Sequence, residues 1–191
     1  LLPGLLVTVL GGFAAVRLVR HVPARVVVAA SFMMSASGYA IAAFLGTPST
    51  MSIMVAFAVL GLGIGLAETL TNDLMLSSVP PNKAGAASAI SETAYEVGAV
   101  LGTAVLGSVL TSTYRSHLTV PAVARWGEND SSFESLGGTV QYAEYFPNMV
   151  GERLLASAHA AFDLGVQRTS AVAIVIALAA AWVAWRTLKD A

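Results

Sequence analysis

Apolar residues in this chain occur in long unbroken runs, with polar residues confined to the segments between them. Five runs are readable: Leu1 to Val16, Val26 to Leu45, Ser52 to about Leu76, Ala84 to Ser112, and Val166 to Trp185. A helix that crosses the hydrocarbon core of a bilayer needs roughly 20 apolar residues at 1.5 Å each, and four of the runs reach that length. The first is shorter and begins abruptly at Leu1, with no initiating Met and no basic region ahead of an apolar core such as a signal peptide carries. It reads as a truncated end, so the chain is expected to be the C-terminal part of a longer polypeptide whose remainder lies upstream of Leu1. Backbone groups in lipid must be satisfied within a helix or a closed barrel, and the runs do not alternate as barrel strands do. The expected fold class is all-α: a polytopic membrane protein with five transmembrane helices and an extracytoplasmic helical hairpin over about 113–165.

Composition agrees with a lipid environment. Hydrophobic residues make up 56 % of the chain and charged residues 11 %, against about a quarter charged in soluble domains. The net charge of −1 offers no electrostatic footprint for nucleic acid. There is no cysteine, so disulfide and thiol chemistry are excluded. His21, His117 and His159 all fall between the runs, which denies the spans a histidine ligand or base. His159 and Asp163 stand at i, i+4, but two ligands are too few for a metal. An intramembrane enzyme would need a nucleophile with a base, or a metal set, at membrane depth, and no span holds a His or Cys; no cofactor is expected.

Basic residues in short loops mark the cytoplasmic side. Arg17, Arg20 and Arg25 follow the first run, Lys83 follows the third, and Arg186 with Lys189 follow the fifth, all on one face. The uncharged GTPSTM loop then lies outside, as does the segment from Thr113 to Gly165. The C-terminus is expected in the cytoplasm of a multi-pass protein of the plasma or inner membrane.

Ionisable residues are unevenly shared among the spans. The second and fifth runs carry none between Val26 and Leu45 or between Thr169 and Trp185, whereas the third holds Glu68 and Asp73 and the fourth holds Glu92 and Glu96. A charged side chain within a bilayer is costly and usually faces a water-filled cavity, pairs with another group, or carries protons or cations. Glu68 lies ten residues before the end of its helix near Ser78, roughly 15 Å deep, and Glu92 eight residues into the next span, roughly 12 Å. Glu96 is one turn higher. The i, i+4 spacing puts Glu92 and Glu96 on one helix face, continued by Ala99 and Thr103. Two carboxylates so close in a low dielectric do not both ionise easily, which suits proton carriage or cation exchange. The structural alternative is a carboxylic acid held by hydrogen bonds for packing only. Tyr95, off that face, could donate to a carboxylate or stack on a ligand; core packing serves equally. Asn72 and Asp73 are further cavity-lining candidates, although Asp73 also fits a solvated position at the inner interface. Gly61 with Gly65 and Gly98 with Gly102 have the spacing of close helix contacts.

In the outer segment, Val150, Leu154, Leu155, Ala158 and Phe162 recur at helical spacing. Ser131 to Phe146 forms a plausible partner helix with Gly137 and Gly138 inside it. Trp126, Phe133, Tyr142, Tyr145 and Phe146 suit a membrane interface. The first reading is a helical hairpin that simply lies over the outer mouth; a gating or substrate-guiding role is the functional alternative.

The stretch GLGIGLAETLTNDLMLSSVPPNKAGAASAISETAYEVGAVLGTAVLGSVL resembles the third-from-last to second-to-last spans of the 14-helix drug:proton antiporters of the major facilitator superfamily, the QacA/EmrB-like branch. VPPNKAGAASAI followed by ETAYEVGAVLG is the most specific part, and the resemblance covers essentially all 191 residues. It implies two six-helix halves plus two extra spans, with this chain supplying the last five. It also implies that the third and fourth runs line the central cavity while the second and fifth lie at the periphery. The loop GGFAAVRLVRHVPAR resembles the superfamily's cytoplasmic gating motif, but departs from it near Arg20 and at Pro23. Related exporters carry acidic groups at the positions of Glu92 and Glu96, implicated in coupling and in recognition of cationic drugs; Glu68 is less typical. The implied function is proton-coupled efflux of hydrophobic, often cationic compounds, with protons, the small-molecule substrate and the lipid bilayer as partners. The alternatives are an exporter of an endogenous metabolite, lipid or siderophore, and a non-transporting membrane assembly subunit.

Overall fold

The computed structural model describes residues 2–44, 50–121 and 130–188. Among them every regular element is helical: α1 (Leu2–Leu18), α2 (Ala24–Phe44), α3 (Thr50–Ser77), α4 (Ala84–His117), α5 (Leu136–Ala143) and α6 (Asn148–Thr187). Short 3-10 turns at Pro81–Lys83 and Asp130–Phe133 precede α4 and α5. Four of the helices, α2, α3, α4 and α6, are long and apolar enough to cross a membrane, and α1 is a shorter apolar helix. The chain is thus an all-α, multi-pass membrane protein. It divides into two compact units, 1–101 with 170–191, and 102–169.

In the first unit α3 packs against both α1 and α2, and small residues make both contacts close. A Cβ at Gly65 would collide with the Thr8 carbonyl of α1, and one at Gly11 would lie 2.9 Å from the Leu62 carbonyl oxygen of α3. About half a turn round α3, a Cβ at Gly63 would meet the Ser31 carbonyl oxygen of α2 at 2.7 Å. In lipid, where apolar burial drives helices together weakly, such approach is what gives van der Waals contact its strength. The buried hydroxyls of α2 are satisfied within the helix: Ser31 Oγ donates to the Val28 carbonyl at 2.7 Å and Ser35 Oγ to that of Ser31 at 3.1 Å. The last turns of α6 join this unit, where Ala184 packs into the cluster Ala15, Val27, Val28, Leu66 and Leu70.

The second unit holds the second half of α4, all of α5 and the first half of α6. Tyr114 packs with Ala158 and Ala161, flanked by Leu118, Leu136 and Phe162. Its hydroxyl lies 2.6 Å from Thr139 Oγ1, and Thr119 N donates to Ser157 Oγ at 2.8 Å. Phe133 and Phe146 stack edge-on against Tyr142, at 5.1 and 5.2 Å between ring centres.

Three boundaries differ from those expected. Ser131 to Phe146 is not one helix: Ser135 is extended (φ −142°, ψ 155°) and its Oγ accepts from Gly138 N, capping α5. Val150 to Phe162 is not separated from the last apolar run, because no proline interrupts Asn148–Thr187 and the helix starts after Pro147, whose carbonyl accepts from Val150 N and Gly151 N. Helix α4, in turn, runs past Ser112 to His117, so that His117 and His159 lie in α4 and α6, not in loops. Trp126 lies outside the described residues.

Candidate functional site

The side of α3 that packs on α1 and α2 buries Gly61, Gly63, Gly65, Leu66, Ala67 and Leu70. Glu68 stands away from that side. With Ile64, Thr71 and Asn72 it forms an exposed row at i, i+4, i+7 and i+8 spacing. Asp73, near the end of the helix, is exposed as well. The geometry of α3 therefore separates a glycine-lined packing face from a polar face, and the carboxylate falls on the second.

On α4 the asymmetry is stronger. Between Ala84 and Leu101 only Ala87 is buried; Glu92, Glu96, Ala99 and Tyr95, the last 59 % exposed, all lie open. A Cβ added at Gly98 or Gly102 would meet nothing within 4 Å. The GxxxG spacing of α3 is thus a helix contact, while the same spacing in α4 has no partner among the described residues.

No side-chain carboxylate of Glu68, Glu92 or Glu96 takes part in a hydrogen bond or ion pair among the described residues, and no group of three or more His, Cys, Asp or Glu there could hold a metal. Among the described residues these carboxylates do not have the bonds that a packing-only carboxylic acid requires. The structure does not bring Glu68 into contact with the α4 pair; what the three share is an unpartnered, exposed setting on otherwise apolar helices.

A concavity of about 750 Å³ lies further along α4, in the second unit. Thr103 lines it, together with Ser108, Thr111, Ser112 and Arg115 around Gly107. Of the residues singled out from sequence, Thr103 alone belongs to it, and Glu92, Glu96, Tyr95 and Ala99 do not. The hydroxyl series went unnoticed in the sequence, although its i, i+4 repeat (Ser108, Ser112, Ser116 beside Thr103, Thr111) was there to be read. Arg115, at its far end, is 3.6 Å from Glu134.

No family model and no solved structure matches the chain. Among curated proteins it is 40 % identical over 181 residues to the multidrug efflux pump LfrA of Mycolicibacterium smegmatis, covering 94 % of this chain and 36 % of that protein. It is 31 % identical over 140 residues to the tetracenomycin C resistance and export protein of Streptomyces glaucescens, covering 70 % of this chain and 26 % of the relative. It is 33 % identical over 105 residues to the methyl viologen resistance protein SmvA of Salmonella typhimurium, covering 55 % of this chain and 21 % of that protein. The chain spans about a third of the length of the first and less of the others. Identity of this degree, sustained over nearly the whole chain, means that it belongs with these exporters, in the drug:proton antiporter branch of the major facilitator superfamily to which its motifs pointed.

Proposed function

We propose that this chain forms part of a secondary active transporter that exchanges protons for hydrophobic, often cationic drugs. The observation that carries the reading is the state of Glu92 and Glu96: two acids one turn apart, exposed, their carboxylates without hydrogen-bonding or ionic partners among the described residues, in a 34-residue helix of apolar character. An intramembrane carboxylate without a structural partner is a functional group by default. Glu96 is the first choice for the proton- or cation-carrying group, Glu92 the second, and Glu68 the third.

In the proposed cycle the α4 face carrying Glu92, Glu96, Ala99 and Thr103 is open to each side in turn, with Tyr95, Asn72 and Asp73 as further lining. Protonation from outside accompanies drug release, and deprotonation inside accompanies loading. A carboxylate is well suited to this exchange, because a proton and an organic cation compete for the same negative charge. The relatives named for drug efflux and for methyl viologen resistance support the cargo class, methyl viologen being an aromatic dication. The C-terminus is assigned to the cytoplasm from the basic residues at that membrane face.

The test is gradient-driven efflux of a lipophilic cation from cells expressing the full-length protein. Glu96→Gln and Glu92→Gln should each lower it toward the rate seen when the proton gradient is collapsed. Wild-type efflux with wild-type pH dependence in both variants overturns the assignment. A second reading, export of an endogenous metabolite, lipid or siderophore, keeps the fold and changes only the cargo; a panel of neutral, anionic and cationic substrates separates the two.

A further inference from the structure

Four arginines gather at the end of the first unit where α6 terminates. Arg17 closes α1, Arg20 lies in the α1–α2 turn, Arg25 opens α2 and Arg186 ends α6. Packing brings these segments together: Val19 and Val22 of the turn rest on the cluster of Ala15, Val27, Val28, Leu66 and Leu70, which Ala184 and Leu188 of α6 also join. The Arg25 guanidinium lies over the Trp185 ring at 5.1 Å, bridging α2 to α6, and that of Arg186 lies over Trp182 at 5.4 Å. The two indoles nevertheless remain 61 % (Trp182) and 50 % (Trp185) exposed.

Among the described residues the charge here is one-sided; Asp190 lies outside them. No Asp or Glu occurs before Glu68. Arg17, Arg20 and Arg186 are exposed, and among the described residues no carboxylate pairs with them. Asp73, on α3, is exposed and takes no part in an ion pair with them. Setting topology needs basic residues somewhere in the loop; it does not need arginines drawn from three helices, two of them stacked on exposed indoles. Stacking occupies the face of a guanidinium, whereas phosphate is recognised by the N–H groups along its edge. Indole rings, in turn, favour the headgroup level of a bilayer.

We propose that this cluster binds the phosphate-bearing headgroup of an anionic phospholipid in the adjoining leaflet. Arg17, Arg20 and Arg186 donate to the phosphate oxygens. Arg25 holds the end of α6 against α2 through Trp185, and Trp182 lies along the glycerol region of the lipid. Charge complementarity selects this occupant over a neutral lipid, and the exposed indoles select a lipid over a soluble anion.

Lipid binding is tested by a readout other than transport. The full-length protein is delipidated, equilibrated with equal amounts of phosphatidylglycerol and phosphatidylcholine, and its bound lipid counted by native mass spectrometry. Phosphatidylglycerol should be selected by about threefold more in the wild type than in the triple variant R17Q/R20Q/R186Q, and raised salt should erode the wild-type preference. If the triple variant does not insert, R186Q should lower the preference while R186K keeps most of it. Equal selectivity in wild type and variants, or a wild-type preference unmoved by salt, overturns the proposal. So does displacement of the bound lipid by millimolar soluble glycerophosphate, which would mark a soluble-anion site.

Discussion

Gly65 of α3 rests directly on the backbone carbonyl of Thr8 in α1, leaving no space for a side chain. The colliding atom belongs to a backbone, so a methyl group there cannot be relieved by a rotamer change and must push the helices apart. Gly65→Ala should therefore destabilise the α1–α3 contact by about 1–3 kcal/mol, the usual range for overpacking. Gly98→Ala, where a Cβ meets nothing within 4 Å, should change stability by less than about 1 kcal/mol, the scale of the helix-propensity difference between the two residues. Thermal unfolding of the purified protein compares the two; equal losses would mean that the contact of α3 with α1 has been misread.

The Tyr114–Thr139 pair makes an asymmetric prediction. Thr139 Oγ1 also lies 3.0 Å from the Ser135 carbonyl oxygen, which can only accept, so the threonine donates to that carbonyl and the tyrosine hydroxyl donates to the threonine. Removing the tyrosine hydroxyl leaves Thr139 bonded; removing the threonine hydroxyl leaves a buried phenol unpaired. Tyr114→Phe should cost about 0.5–1.5 kcal/mol and Thr139→Val about 1–3 kcal/mol. Hydrogen exchange of the α4 and α5 amides measures both, and a larger loss in Tyr114→Phe would reverse the donor assignment.

Composition and run length made the spans legible, because a bilayer demands about 20 apolar residues whatever else a sequence encodes. The ends were less legible. Helix α4 continues beyond Ser112 to His117, anchored by Thr113 and Tyr114, which tertiary contact buries to 5 % and 2 % exposure. Helix α6 absorbs the amphipathic stretch before Val166 because Leu154, Ala158 and Ala161 have a packing surface and no breaker intervenes. At the candidate site, helix rise gave the depths of Glu68, Glu92 and Glu96, but not which of their neighbours would bond them. Nor could spacing distinguish the two glycine pairs: Gly61 and Gly65 meet a neighbouring helix, whereas Gly98 and Gly102 meet open space.

The three carboxylates should differ in weight. Glu92 and Glu96 share one face of α4, so losing either changes the charge the other experiences, while Glu68 stands on a separate helix. Glu92→Gln and Glu96→Gln should therefore be strongly non-additive in efflux, the double variant being little worse than Glu96→Gln alone. Glu68→Gln should combine with either nearly additively, as groups without shared partners do. Efflux rates of the three singles and three doubles decide this; additivity within the α4 pair would show that the two acids do not act as a unit.

Water access to α4 can be measured directly, because this chain contributes no native cysteine. Ala99 is exposed and follows Glu96 at i+3, and Thr103 lines the concavity of the second unit. Cysteines placed at either position should react with a membrane-impermeant maleimide, faster when a transported cation is absent than when it is present. Cysteines at Ala56 and Ala177, with 2 % and 8 % exposure, should stay unlabelled until the protein is denatured. A thiolate is needed for the reaction, and in lipid it does not form, so labelling reports water and not merely exposure. Silence at both Ala99 and Thr103 would mean that this face of α4 is sealed by lipid or by another helix. The glutamates beside it would then have no aqueous route for the proton that the proposed exchange requires.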